Sequence, residues 1–197
     1  IFESRLNESV WEVYDEINTS LYSYETKSGK GHPYIFLNKS STLKANHYDT
    51  AIDCYNRYFE DDTDKDWFHI TVNDHGVLVV CDTILFKVSR DWKTGQYDKI
   101  LEKRYNLVDG EYYEFQEDLS SVLQIIKLNI ESRKTKKEIQ NTVINIICGM
   151  CFSRGISIVS RDYEWHINGE YFKCSNVTDC GSILQSLRIC GVFQDEI

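Results

Sequence analysis

The chain is poor in the residues that interrupt structure: it holds one proline, Pro33, and ten glycines in 197 residues. No Gly/Ser/Pro-rich linker, repeat or low-complexity tract divides it, so a single domain over 1–197 is expected. Long apolar runs are also lacking. Val77-Leu78-Val79-Val80 is short, and Ile144 to Met150 is broken by Asn145. Neither approaches the ~18–20 residues of a membrane-spanning helix. An excess of positive charge is missing too. A net charge of −9 argues against a general polyanion binder, which needs Lys and Arg to neutralise phosphates. No Gly-x-Ser-x-Gly, P-loop, dinucleotide fingerprint or His-Glu-x-x-His pattern occurs, which weakens the case for an enzyme. The first residue is Ile, which fits a processed chain or an excised domain; a removed signal peptide would leave no trace.

What is present is apolar periodicity. Leu6, Val10, Val13, Tyr14, Ile17 and Leu21 share one helical stripe, and Tyr48, Ala51, Ile52, Tyr55, Tyr58 and Phe59 another, within a helix over about 42–59. Pro33 to Leu37 read as a short strand. Beyond Trp67 the period becomes two. Phe68–Val72, Val77–Val88, Tyr97–Leu107 and Tyr112–Phe115 read as four strands, with turns at Asn73–Gly76 and Asp109-Gly110. Leu119, Val122, Leu123, Ile126 and Ile130 return to helical spacing. Thr135 and Glu138 have the spacing of a capping box, opening a helix through Ile139, Val143, Ile146, Ile147 and Met150 that Gly155 ends. Ile156–Val159 is strand-like, Asn168-Gly169 joins Glu164–Ile167 to Glu170–Lys173 as a hairpin, and a last helix carries Ile183, Leu184, Leu187 and Cys190. The expected fold is therefore α+β: an antiparallel sheet, a four-stranded meander plus a C-terminal hairpin, packed against helices.

Seven cysteines cannot all pair within one chain. Cys54 and Cys81 sit in apolar periodic segments as small hydrophobes. Cys148-x-x-Cys151 with Cys174 and Cys180 could supply four thiolates to a zinc ion, although five residues separate the second pair where structural zinc sites have ~2–4. Free buried thiols and disulfides are the competing readings, and free thiols suit a reducing compartment. Asp62, Asp64 and Asp66 imitate a calcium loop, but Trp67 stands where the glycine is needed and Asn73 where the bidentate Glu is needed. The histidines at 32, 47, 69, 75 and 166 have no evident nucleophile beside them.

Partner contacts have several candidates. Arg133, Lys134, Lys136 and Lys137 form a basic cluster beside a helix start, which Lys99, Lys103 and Arg104 could extend toward an acidic partner. Tyr112, Tyr113 and Trp165 lie on predicted hairpins, where alternate side chains face outward, and Tyr and Trp often anchor interfaces. The strand Tyr97–Leu107 could serve as a pairing edge. These features point first to a non-catalytic protein-interaction domain, a subunit or adaptor of an assembly in the cytoplasm or nucleus. Sequons at Asn7, Asn18, Asn38 and Asn176 support a second reading, a secreted or luminal glycoprotein that binds a receptor or host protein. An enzyme using His or Cys chemistry in a cleft is the third.

Overall fold

Five of the six residues in Thr142-Val143-Ile144-Asn145-Ile146-Ile147 are β-branched, and such side chains favour extended backbone. In a computed structural model, which describes residues 10–39, 45–60, 65–73, 76–82, 97–98, 110–115, 118–148 and 158–171, this stretch is a strand with every residue buried. The elements in chain order are α1 (Val10–Thr19), β1 (Tyr34–Asn38), α2 (Ala45–Glu60), β2 (Asp66–Asn73), β3 (Gly76–Asp82), β4 (Tyr97–Asp98), β5 (Gly110–Phe115), α3 (Leu119–Glu131), α4 (Lys136–Gln140), β6 (Thr142–Ile147) and β7 (Gly169–Tyr171).

One mixed sheet runs in the order β4-β5-β3-β2-β6-β1-β7. β6 pairs parallel to β2 on one edge and to β1 on the other, with Asn145 opposite both His69 and Phe36. β7 adds to β1 in parallel, while β2–β3, β3–β5 and β5–β4 are antiparallel. Helices cover both faces. Tyr14 and Ile17 of α1 and Ala51, Ile52 and Tyr55 of α2 pack on Phe36, Trp67, Val80, Val143 and Ile147. Leu119, Val122, Leu123, Ile126 and Ile130 of α3 pack on Ile35, Phe68, Ile70, Val79, Ile144 and Ile146. Fully burying each of these isoleucines stabilises the fold by on the order of 2 kcal/mol.

Four expectations are corrected. The antiparallel sheet is instead mixed, because three strands join it in parallel. The four-stranded meander does not form either: β5, not β4, lies beside β3, so β4 is displaced to the edge. The helix expected from Thr135 to Met150 stops at Gln140. Its capping box is present, with Thr135 Oγ1 accepting from Glu138 N–H, but Asn141 ends the turn and β6 follows. A strand buried on both faces has no polar side, so apolar spacing alone could not tell it from a helix.

The C-terminal hairpin is also absent. Asn168-Gly169 makes no two-residue turn; Asn168 instead donates its N–H to Ile35 O at 2.8 Å and accepts from Ile35 N–H at 2.7 Å through Oδ1. Gly169 is needed for a close approach: a Cβ there would overlap the Tyr34 hydroxyl. The last predicted helix and residues 83–96 and 99–109 lie outside the described residues.

Residues 20–33 form a strap from α1 to β1, closed by the Glu25–Gly31 bridge. A Cβ on Gly31 would run into the Lys136 carbonyl oxygen and come within 2.9 Å of Ile139 Cβ. Gly31→Ala should therefore destabilise by about 1–3 kcal/mol, as overpacking does, and lower the urea midpoint at unchanged slope. An unchanged midpoint would show that the strap is not seated on α4 as described.

Candidate functional site

Two polar clusters stand out among the described residues, one on each side of the sheet. The first lies beneath α1, where β1, β6 and β2 bring Asn38, Asn145 and His69 onto one face. The Tyr14 hydroxyl donates to Asn145 Oδ1 at 3.0 Å and accepts from Asn38 Nδ2 at 2.6 Å, and Asn145 Nδ2 meets His69 Nδ1 at 3.1 Å. All four residues are wholly buried. Burial raises the Tyr14 phenol well above its usual value, pushes the neighbouring Cys54 thiol up to about 12 and lowers His69 to about 3. Every group is thus neutral near pH 7, and Asn145 Nδ2, which can only donate, needs the unprotonated His69 Nδ1 as its acceptor. A thiol held protonated is a poor nucleophile, so the cluster is suited to fixing strand register rather than to reacting. At the end of β1, Lys39 and Glu170 form a buried ion pair that ties it to β7.

The second cluster holds the segment 158–168 against α3. Lys127, only 3% exposed at its side chain, bonds Asp162 and Glu164 at 2.5 Å each and lies 3.5 Å from Glu131. Burial works against the Lys127 charge, but the hydrogen bonds to Asp162 and Glu164 outweigh it and raise its pKa. Burial likewise opposes the Asp162 charge, yet bonds from Lys127, Ser160 and Gln124 hold this carboxyl far below the usual range. Ser160 donates to Asp162 Oδ1 at 2.6 Å and accepts from Trp165 N–H at 3.0 Å. Tyr163 N–H closes the turn onto Ser160 O at 2.9 Å.

This anchored turn carries an anomaly. Tyr163 has φ 61° and is 72% exposed. The left-handed region costs a side-chain-bearing residue roughly 1–2 kcal/mol, and a glycine would occupy it freely. Leu128, also exposed, lies one helical turn beyond Gln124, whose side chain bonds Asp162 next to Tyr163. Nothing in the sequence signals this site, since backbone sign is not written in Arg161-Asp162-Tyr163.

The residues singled out from the sequence fall in several places. Trp165 is wholly buried in the core near His32, not on the outward face that alternation along a hairpin implied. Tyr112 and Tyr113 lie on β5 opposite Val80 and Val79. The basic cluster is partly committed to its own chain: Lys134 pairs with Asp66, Lys136 with Glu25 at 2.5 Å, and Arg133 Nε donates to Asn129 O. Lys137 is exposed. Of the proposed zinc ligands, Cys148 is buried just after β6, while Cys151, Cys174 and Cys180 lie outside the described residues. Among the described residues no group of His, Cys, Asp and Glu is placed to hold a metal, and no helix is long and apolar enough to cross a membrane. Asn18 accepts from Trp67 Nε1 at 3.2 Å, and Asn38 is sealed beneath α1; Asn7 and Asn176 lie outside the described residues.

Comparison with known proteins found no matching family model, curated protein or solved structure.

The first cluster makes a direct prediction. Tyr14→Phe keeps the ring but removes the hydroxyl that both Asn38 and Asn145 use, in a site without solvent. Loss of a buried partner of this kind costs about 1–3 kcal/mol. Denaturant melts should show that loss, and wild-type stability in the variant would contradict the network.

Proposed function

We propose that this domain is a non-catalytic protein-interaction module, a subunit or adaptor of an assembly inside the cell, and that the turn 160–163 carries its principal contact. The observation behind this reading is Tyr163: a large aromatic residue, mostly exposed, held in a backbone conformation that a glycine would adopt at less cost. Strain kept at an exposed and well-anchored position is characteristic of sites where function outweighs stability. The anchoring supports the same reading. With Lys127, Gln124 and Ser160 fixing Asp162, little order remains to be imposed on the turn when a partner binds. Leu128 is a second exposed apolar residue on α3, the helix that anchors the turn, and Arg161 and Asp118, both more than half exposed, supply a polar rim. The complementary partner is a protein with an apolar pocket ringed by hydrogen-bonding groups.

The intracellular setting is supported by Cys54, a buried thiol outside any disulfide. The glycoprotein reading is weakened at one of its sequons, because the Asn38 side chain donates to Tyr14 in the interior and has no room for a glycan.

The test is Tyr163→Gly. Relief of the left-handed strain should raise stability by about 0.5–1 kcal/mol, or ~1–4 °C in melting temperature at this size. The same variant, expressed in the native host, should lose a stoichiometric partner that co-purifies with the wild type. A stabilised variant that keeps every partner would refute the proposal.

A further inference from the structure

We infer that the segment 158–168 is a clasp that acid opens, because protonating His32 turns the acceptor on which the segment hangs into a donor. His32 is wholly buried between the strap and the segment. Its Nδ1 lies 2.6 Å from Pro33 O, which only accepts, so Nδ1 carries the proton. Its Nε2 therefore has a free lone pair, and accepts the backbone N–H of His166 at 2.9 Å. A proton on Nε2 would place two donors face to face and remove the bond. The His166 ring stands edge-on at 4.6 Å, so any charge it gains also opposes a charged His32.

The surroundings of His32 offer a proton no compensation. Tyr24 from the strap and Trp165 from the segment lie against the ring, both at 6.3 Å between centroids. The cation of Lys127, from α3, repels added positive charge. The nearby carboxylates Asp162, Glu164 and Glu131 are already engaged with Lys127. Burial first, and His166 second, lower His32 to about 4, and burial lowers His166 as well.

The closed clasp thus binds a proton more weakly than the open one, in which an exposed histidine titrates near ~6.5. Closure is fully favoured above that value and is lost progressively as pH falls from ~6.5 to about 4. Asp162 and Glu164 are shifted downward as well, but from the carboxylate range, so their contribution persists until pH falls into that range, below the upper part of this window. Between pH 7 and pH 5 the opening equilibrium should grow roughly 20-fold through His32 alone. This inference rests on the geometry of the clasp and does not depend on the interaction reading, although Tyr163 rides on the same segment.

The experiment is residue-resolved amide exchange, corrected for intrinsic rates, at pH 7 and pH 5. The amides of Ser160, Trp165 and His166 should lose roughly 20-fold in protection while Val143–Ile147 keep theirs. His32→Gln can still donate to Pro33 O and accept from His166 N–H, without titrating, and should remove the roughly 20-fold share of His32, leaving only the part that His166 contributes. Unchanged protection at pH 5, equal loss in β6, or an undiminished response in His32→Gln would each overturn the inference. Should that variant not fold, an NMR titration of the wild-type His32 ring decides: its protonation must coincide with the loss of His166 protection, and a ring still neutral when protection falls would refute the clasp.

Discussion

β6 is the element from which the rest of the fold is positioned. It is buried on both faces and paired on both edges, so the two helical layers and the two halves of the sheet are all placed relative to it. A strand so placed cannot leave a polar group unsatisfied, because burying an amide without a partner costs several times what one hydrogen bond gains. Asn145 is its one strongly polar side chain. Tyr14 of α1 and His69 of β2 meet its two ends, and Asn38 of β1 closes the set through Tyr14. A slip of one residue would turn Asn145 toward the apolar face under α3, so the network fixes register as well as helix position.

That arrangement explains what was legible in the sequence. α1, α2 and α3 are amphipathic, with one face on the sheet and one toward solvent, and their spacing showed them. β2 and β3 were visible from the strong β-branched and apolar content around His69 and Val79. β6 was not, since a doubly buried strand shows no alternation, and the real capping box at Thr135 pointed to a longer helix than the five residues it opens. Asn168-Gly169 misled for a related reason: the pair has the composition of a turn, but here the amide side chain stands in for a backbone acceptor and the glycine makes room for Tyr34. Strand order depends on contacts far apart in the chain, which no local pattern records.

The candidate site was less legible still. Surface aromatics were expected on hairpins, yet Trp165 proved to be core, and among the described residues the most exposed aromatic is Tyr163, two residues earlier. The two are linked physically. Burial of Trp165, together with the Ser160 and Lys127 bonds, pins the segment so that the turn between them can hold a residue in an unfavourable conformation. Stability invested on the α3 side of the sheet thereby sustains strain at the surface, and His32 joins that same segment to the strap.

The hub role of β6 is tested most directly by native-state hydrogen exchange across the whole chain at neutral pH. The account predicts that the amides of Val143–Ile147 and of Phe68–Thr71 exchange only through global unfolding, forming the slowest class in the protein. Exchange of Val143–Ile147 through local opening, faster than the amides of α3, would mean that this segment is not the central strand, and the register and both helical layers would have to be reassigned.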